Sequence, residues 1–207
     1  THIADPPEMW DFLNPDWNPR RPVVVQVPED TLYRGVDLMW LLDGQIFPRP
    51  AGRGGNFLVT PTAQKNVRDR VDRKSRELLD LTMRFEDMAA THTDVQVVYP
   101  TLFLAYLTNV AAYEVELCKA YNRFLADVWA KGEDKIRWVV IPPLRDIDAS
   151  IQELRFGKEN GACGVFFRGI EGDKTLDTPY FFPVYEETQS LGLPICIHQG
   201  QGAPALN

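Results

Sequence analysis

"KIRWVVIPPLRDIDASIQELRFGKENGACGVFFRG", residues 135–169, reads as one complete structural unit. "KIRWVVIPPL" (135–144) is a mostly apolar run of strand length, stopped by Pro142-Pro143. "DIDASIQELRFGKENG" (146–161) follows as a helix, with Asp146 as its cap and Gly161 as its C-terminal stop. "ACGVFFRG" (162–169) is a second apolar run. Strands that read as continuous apolar runs, joined by an amphipathic helix, predict a parallel sheet covered by helices.

The same alternation extends in both directions. Upstream, "KSRELLDLTMRFEDMAATH" (74–92) spaces Leu78, Leu81, Phe85 and Met88 as one helical face. "DVQVVYPT" (94–101) is a short strand ending at Pro100, and "AAYEVELCKAYNRFLADVWAKG" (111–132) is a long helix ending at Gly132. Downstream, Pro183 suits the first turn of a helix that stops at Gly192, and "LPICIHQG" (193–200) is the last strand. The segment 14–65 breaks the pattern. It holds "VVVQV" (23–27) and "DLMWLLDGQIF" (37–47), where Asp43-Gly44 between apolar runs signals a hairpin, and "PRPAGRGG" (48–55) has loop composition. An insertion of this length after a first strand suits a lid or an oligomer contact.

The 207 residues are 44% hydrophobic, enough for a sizeable core, and carry a formal charge of −7. That balance gives no basic footprint, so nucleic acid is not an expected partner. No apolar run approaches the ~18 residues of a membrane span. "THIADPPEMW" lacks the basic start and apolar stretch of a secretory signal. Cys118, Cys163 and Cys196 are widely spaced in apolar contexts, as expected of reduced core thiols in a cytoplasmic protein.

In a parallel α/β fold, ligands bind where the strands end. "THIA" places His2 at the end of a first strand, and the later strands end at Tyr99-Pro100-Thr101, Pro142-Pro143, Arg168 and His198. Two imidazoles and one guanidinium on one face of a sheet are the best functional signal in the chain. Imidazole is the commonest metal-binding side chain, and its second nitrogen needs a partner that fixes the tautomer. His92 ends a helix, where a cation complements the carbonyl end, and reads as structural.

These residues resemble the amidohydrolase superfamily, in the branch that includes aminocarboxymuconate-semialdehyde and resorcylate-type decarboxylases. "HIADPPEMW" is similar to that branch's first-strand motif, "DVQVVYPT" to its second strand, and "KAYNRFLAD" to its "N-x-x-L/F" helix. "PYFFPVYEETQSLGLPICIHQG" is similar to its fourth helix and fifth strand. The resemblance implies a (β/α)₈ TIM barrel of which residues 1–207 hold about the first five strands, with the insertion after strand one. The chain is then expected to be an N-terminal part of a longer protein. The resemblance also implies a divalent metal held by His2 and His198, zinc first and manganese second. "CGVFFRG" offers no bridging lysine, so one metal is expected.

Arg168 is the expected two-pronged holder of a substrate carboxylate, with an ion pair to Glu171 or Asp173 as its other reading. Tyr99 is expected at the substrate site as a wall or a hydrogen-bond donor, with core packing as its other reading, and Trp10 is expected at the barrel mouth beside the substrate; the catalytic acid or base is unassigned. The implied function is a metal-dependent hydrolase acting, through a metal-activated water, on a small carboxylated aromatic or conjugated substrate. A non-oxidative decarboxylase is the second reading and a non-catalytic ligand-binding barrel the third. A homo-oligomer is expected. A phosphate-binding protein is disfavoured, since no Gly-rich loop follows a strand and opens a helix.

Overall fold

The computed structural model describes residues 1–26, 38–47, 71–200 and 202–203. The expected loop at 48–55 and much of the segment 14–65 lie outside them. Three antiparallel strands precede the main sheet: β1 (Val23–Gln26), β2 (Leu38–Leu42) and β3 (Gln45–Phe47). The main chain of elements is α1 (Arg73–Arg76), α2 (Leu81–Ala90), β4 (Gln96–Val98), α3 (Ala111–Lys131), β5 (Ile136–Val140), α4 (Ile147–Glu159) and β6 (Ala162–Arg168). It continues through a small hairpin, β7 (Ile170–Glu171) and β8 (Lys174–Thr175), to α5 (Phe182–Ser190) and β9 (Ile195–His198).

β4, β5, β6 and β9 pair in that order, all parallel. A parallel bridge between His2 and Tyr99 adds the first chain segment beside β4. The result is an α/β arc with sequential parallel neighbours, the arrangement of a partial barrel. The sheet's outer face is dry: Val98, Trp138, Val140, Val165 and Phe167 are all buried. Gly157 of α4 lies so close to Val140 that an added Cβ would come within 2.8 Å of it, so helix and sheet meet there without side-chain spacing. At the edge, Ile195 and Ile197 of β9 remain 40% and 64% exposed.

Most expected elements are present with shorter bounds. The helix read over 74–92 is instead two helices. Leu78 takes a positive φ of 56°, and the Asp80 side chain accepts from the Met83 N–H to start α2 anew. A local cap overrides the helical propensity of the leucines on either side. The Asp43-Gly44 turn has φ of 50° and 74°, the two left-handed residues that a tight two-residue hairpin requires. The Asp43 carboxylate accepts from the Thr108 hydroxyl at 2.5 Å and pairs with Arg20, so this turn is pinned to the loop that follows β4. No helix among the described residues is long and apolar enough to cross a membrane.

Candidate metal and substrate site

The parallel register places His198 beside Arg168, and the His2–Tyr99 bridge places His2 on the same inner face. The two imidazoles converge. Their Nε2 atoms are 3.1 Å apart, and the rings meet edge to face. The other nitrogens are both occupied: His2 Nδ1 lies 2.8 Å from the Pro100 carbonyl, and His198 Nδ1 lies 2.6 Å from the Gln199 carbonyl.

This pattern constrains the protons. A carbonyl oxygen only accepts, so each Nδ1 carries the hydrogen, a tautomer assigned from the partners. The two Nε2 atoms then face each other across 3.1 Å. Two lone pairs at this separation repel unless a proton or a metal cation lies between them. Imidazoles bound to tetrahedral zinc at about 2.0–2.1 Å put their nitrogens roughly 3.3–3.4 Å apart. The donor set and its spacing therefore fit a divalent ion that prefers nitrogen. Among the described residues, no group of three or more His, Cys, Asp or Glu side chains gathers to complete such a site.

Tyr99 stands next to the pair, with its ring 6.2 Å from that of His2 and 6.0 Å from that of His198. Burial and a hydrogen bond with Cys196 push its phenol up to about 12, so it remains a proton-bearing donor at neutral pH. The three cysteines are unpaired, as the sequence suggested.

Arg168 is buried and its prongs are engaged within the chain. Its Nε and Nη2 donate to the Glu171 carboxylate, and Nη1 donates to the Ala105 carbonyl at 2.8 Å. The ion pair with Glu171 is thus the arrangement present, and the two-pronged contact to a substrate carboxylate is not available from this conformation. Trp10 is also not a wall of an open site. It is 1% exposed and packs against Trp40, with ring centroids 6.0 Å apart, and against Phe103. The aromatic stretch around "PEMW" folds inward as a short 3₁₀ turn instead of facing a mouth.

Beyond the ends of β5 and β6 opens a cleft of about 590 Å³, within the range of small-molecule sites. Tyr106, Glu114, Arg145, Arg168, Lys174 and Tyr180 contribute to its lining. Arg145 is the residue sequence reading passed over. It lies two residues after Pro143, just past the apolar run 135–144, and its side chain binds Glu114 at 2.6 Å, the Tyr106 hydroxyl and the Thr108 carbonyl. The available signal was its position at a strand end, the same signal that marked Arg168.

The family model described as Amidohydrolase matches residues 55–206. The chain is 28% identical over 122 residues to a 2-amino-3-carboxymuconate-6-semialdehyde decarboxylase from Dictyostelium discoideum, covering 58% of this chain and 33% of that protein. It is 30% identical over 94 residues to a gamma-resorcylate decarboxylase from Rhodococcus jostii (strain RHA1), covering 41% of this chain and 29% of that protein. The match thus spans about a third of the length of these curated relatives. In three dimensions the chain is similar to an amidohydrolase from Mycobacterium avium subsp. paratuberculosis K-10. The TM-score is 0.70 at 15% identity, over 97% of this chain and 57% of that one.

Proposed function

The chain belongs to the amidohydrolase family, and from that premise we propose that it contributes two metal ligands, His2 and His198, to a metal-dependent decarboxylase of a small carboxylated substrate. The observation that carries the reading is the paired Nε2 geometry: two imidazoles, each locked by a carbonyl at Nδ1, aim at one point. A divalent ion held there, zinc by the preference of nitrogen donors, would supply Lewis acidity toward a chelating carboxylate. The chain's own residues then act around that point. Tyr99, kept neutral, offers a hydrogen bond to a substrate oxygen beside the pair. Arg168 and Glu171, locked together, hold the Ala105 carbonyl and so shape one wall of the cleft. In the reaction the bond from the substrate carbon to its carboxyl breaks, carbon dioxide leaves, and a proton takes its place on carbon.

Decarboxylation moves ahead of hydrolysis, the first expectation from sequence, because both curated relatives above are decarboxylases. Hydrolysis remains the second reading. The amidohydrolase structure aligns with nearly the whole chain, and a barrel of this kind can also use an activated water. The test is incubation of metal-loaded, full-length protein with hydroxybenzoates and conjugated semialdehyde acids while carbon dioxide is measured. Release of one carbon dioxide per substrate consumed supports the proposal. Turnover of amide or ester analogues, with no carbon dioxide from any acid, would replace it with hydrolysis.

A further inference from the structure

Asp5 lies three residues after His2, is 3% exposed, and has no part in the chemistry above. Its Oδ2 accepts from the backbone N–H of Thr101 at 3.1 Å and of Leu102 at 2.7 Å. Thr101 returns its hydroxyl to the Ile3 carbonyl at 2.5 Å. These three bonds tie the turn after β4 to the segment that carries His2. Pro100 sits at that turn, and its carbonyl is the acceptor for His2 Nδ1. Proline has no N–H, so the donors at 101 and 102 are the nearest backbone handles on its C-terminal side.

We propose that Asp5 is a positioning residue for His2: by clamping Thr101 and Leu102 it fixes the Pro100 carbonyl, and through it the tautomer and aim of the imidazole. This rests on the reading of His2 as a metal ligand. Carboxylate bonds to N–H groups are charge-assisted and hold their donors more tightly than neutral ones. The charge has a cost. Asp5 Oδ1 is buried with no hydrogen-bond partner among the described residues, and burial pushes the carboxyl up to about 6 against the backbone N–H groups that lower it. The structure also supplies an internal control. His198 Nδ1 rests on the carbonyl of its own neighbour, Gln199, and owes nothing to Asp5.

The experiment is a long-range proton–nitrogen spectrum of the histidine rings in the wild-type protein and in Asp5→Ala, with zinc affinity measured by competition against a coloured chelator. The expected result is a His2 Nδ1–H that exchanges at least tenfold faster in Asp5→Ala, an unchanged His198, and zinc affinity about 10–100-fold weaker. An unaltered His2 signal, or equal changes at both histidines, overturns the proposal; the second outcome would mean general loosening. If Asp5→Ala does not fold, Asp5→Asn is read in the same way. It keeps the shape and one acceptor but loses the charge, so His2 exchange should rise while His198 stays fixed, and no rise overturns the proposal. The two readings fail separately. A wild type that binds no zinc but shows the His2 response removes the metal reading and supports the clamp. A wild type that binds zinc with His2 indifferent to Asp5 removes the clamp alone.

Discussion

Asn122, in the middle of α3, satisfies both backbone groups of Ile141: its Nδ2 donates to the Ile141 carbonyl and its Oδ1 accepts from the Ile141 N–H, each at 3.0 Å. The β5 strand ends one residue earlier, at Val140, and Pro142-Pro143 follows. Glu153 from α4 completes the cluster, accepting from Asn122 at 2.8 Å and pairing with Arg123. One amide therefore fixes where β5 stops and how Arg145 is presented beyond it. Asn122→Leu fits by volume but leaves two backbone groups and a carboxylate short of partners. The expected loss is about 2–4 kcal/mol, read by urea unfolding. A loss below ~0.5 kcal/mol would show that water or a shifted backbone replaces the amide.

Much of this was legible in the sequence, for a physical reason. The strands of a two-face-buried sheet announce themselves as apolar runs, so β4, β5, β6 and β9 stood out, and their ends named His198 and Arg168. His2 was legible by the same rule once the short first segment was taken as a strand end. What was not legible depends on partners far along the chain or on local competition. Nothing in "RELLDL" shows that Asp80 caps a new helix and leaves Leu78 left-handed. Asn122 looked like one polar residue on a helix, since Ile141 lies 19 positions away. The engagement of Arg168 with Glu171 depends on a turn three residues on, and was one of two readings that the sequence left open.

The Arg168–Glu171 pair is buried on both sides, with side-chain exposures of 11% and 6%. Removing Glu171 leaves the buried Arg168 charge only the more distant Glu114 carboxylate, 4.0 Å away. Glu171→Ala should lose about 3–5 kcal/mol in denaturant unfolding. Replacing both residues by apolar ones of similar size should cost much less than this single change. If Glu171→Ala is as stable as the wild type, the pair is not the structural lock described here, and Arg168 becomes available for substrate again.

Glu77 gives a pH dependence with a definite sign. It is 1% exposed at the end of α1, and burial pushes its carboxyl from 4.5 up to about 7, although Arg73 beside it pulls the other way. The folded state then holds a proton that the unfolded chain has released. Its contribution to stability is complete below about 4.5 and is lost as pH rises through 7. Glu77→Gln should flatten that part of the stability profile, with the variant gaining on the wild type as pH rises from 4.5 to 7. Parallel profiles for the two proteins across this window would contradict the assignment.

His2 and His198 converge, with Nε2 atoms 3.1 Å apart, and the direct measurement of what they hold is zinc per chain. Full-length protein, purified without chelator, is dialysed against zinc and analysed for bound metal beside its His198→Ala variant, with circular dichroism on both. A divalent ion at this site adds little to a core built from the sheet and its helices, so the fold should survive while the cage loses a bond and its geometry. The predicted result is one zinc per wild-type chain, almost none in His198→Ala, and closely similar spectra. Stoichiometric zinc in His198→Ala, with the fold intact, would contradict the claim that the strand-end histidines form a metal site.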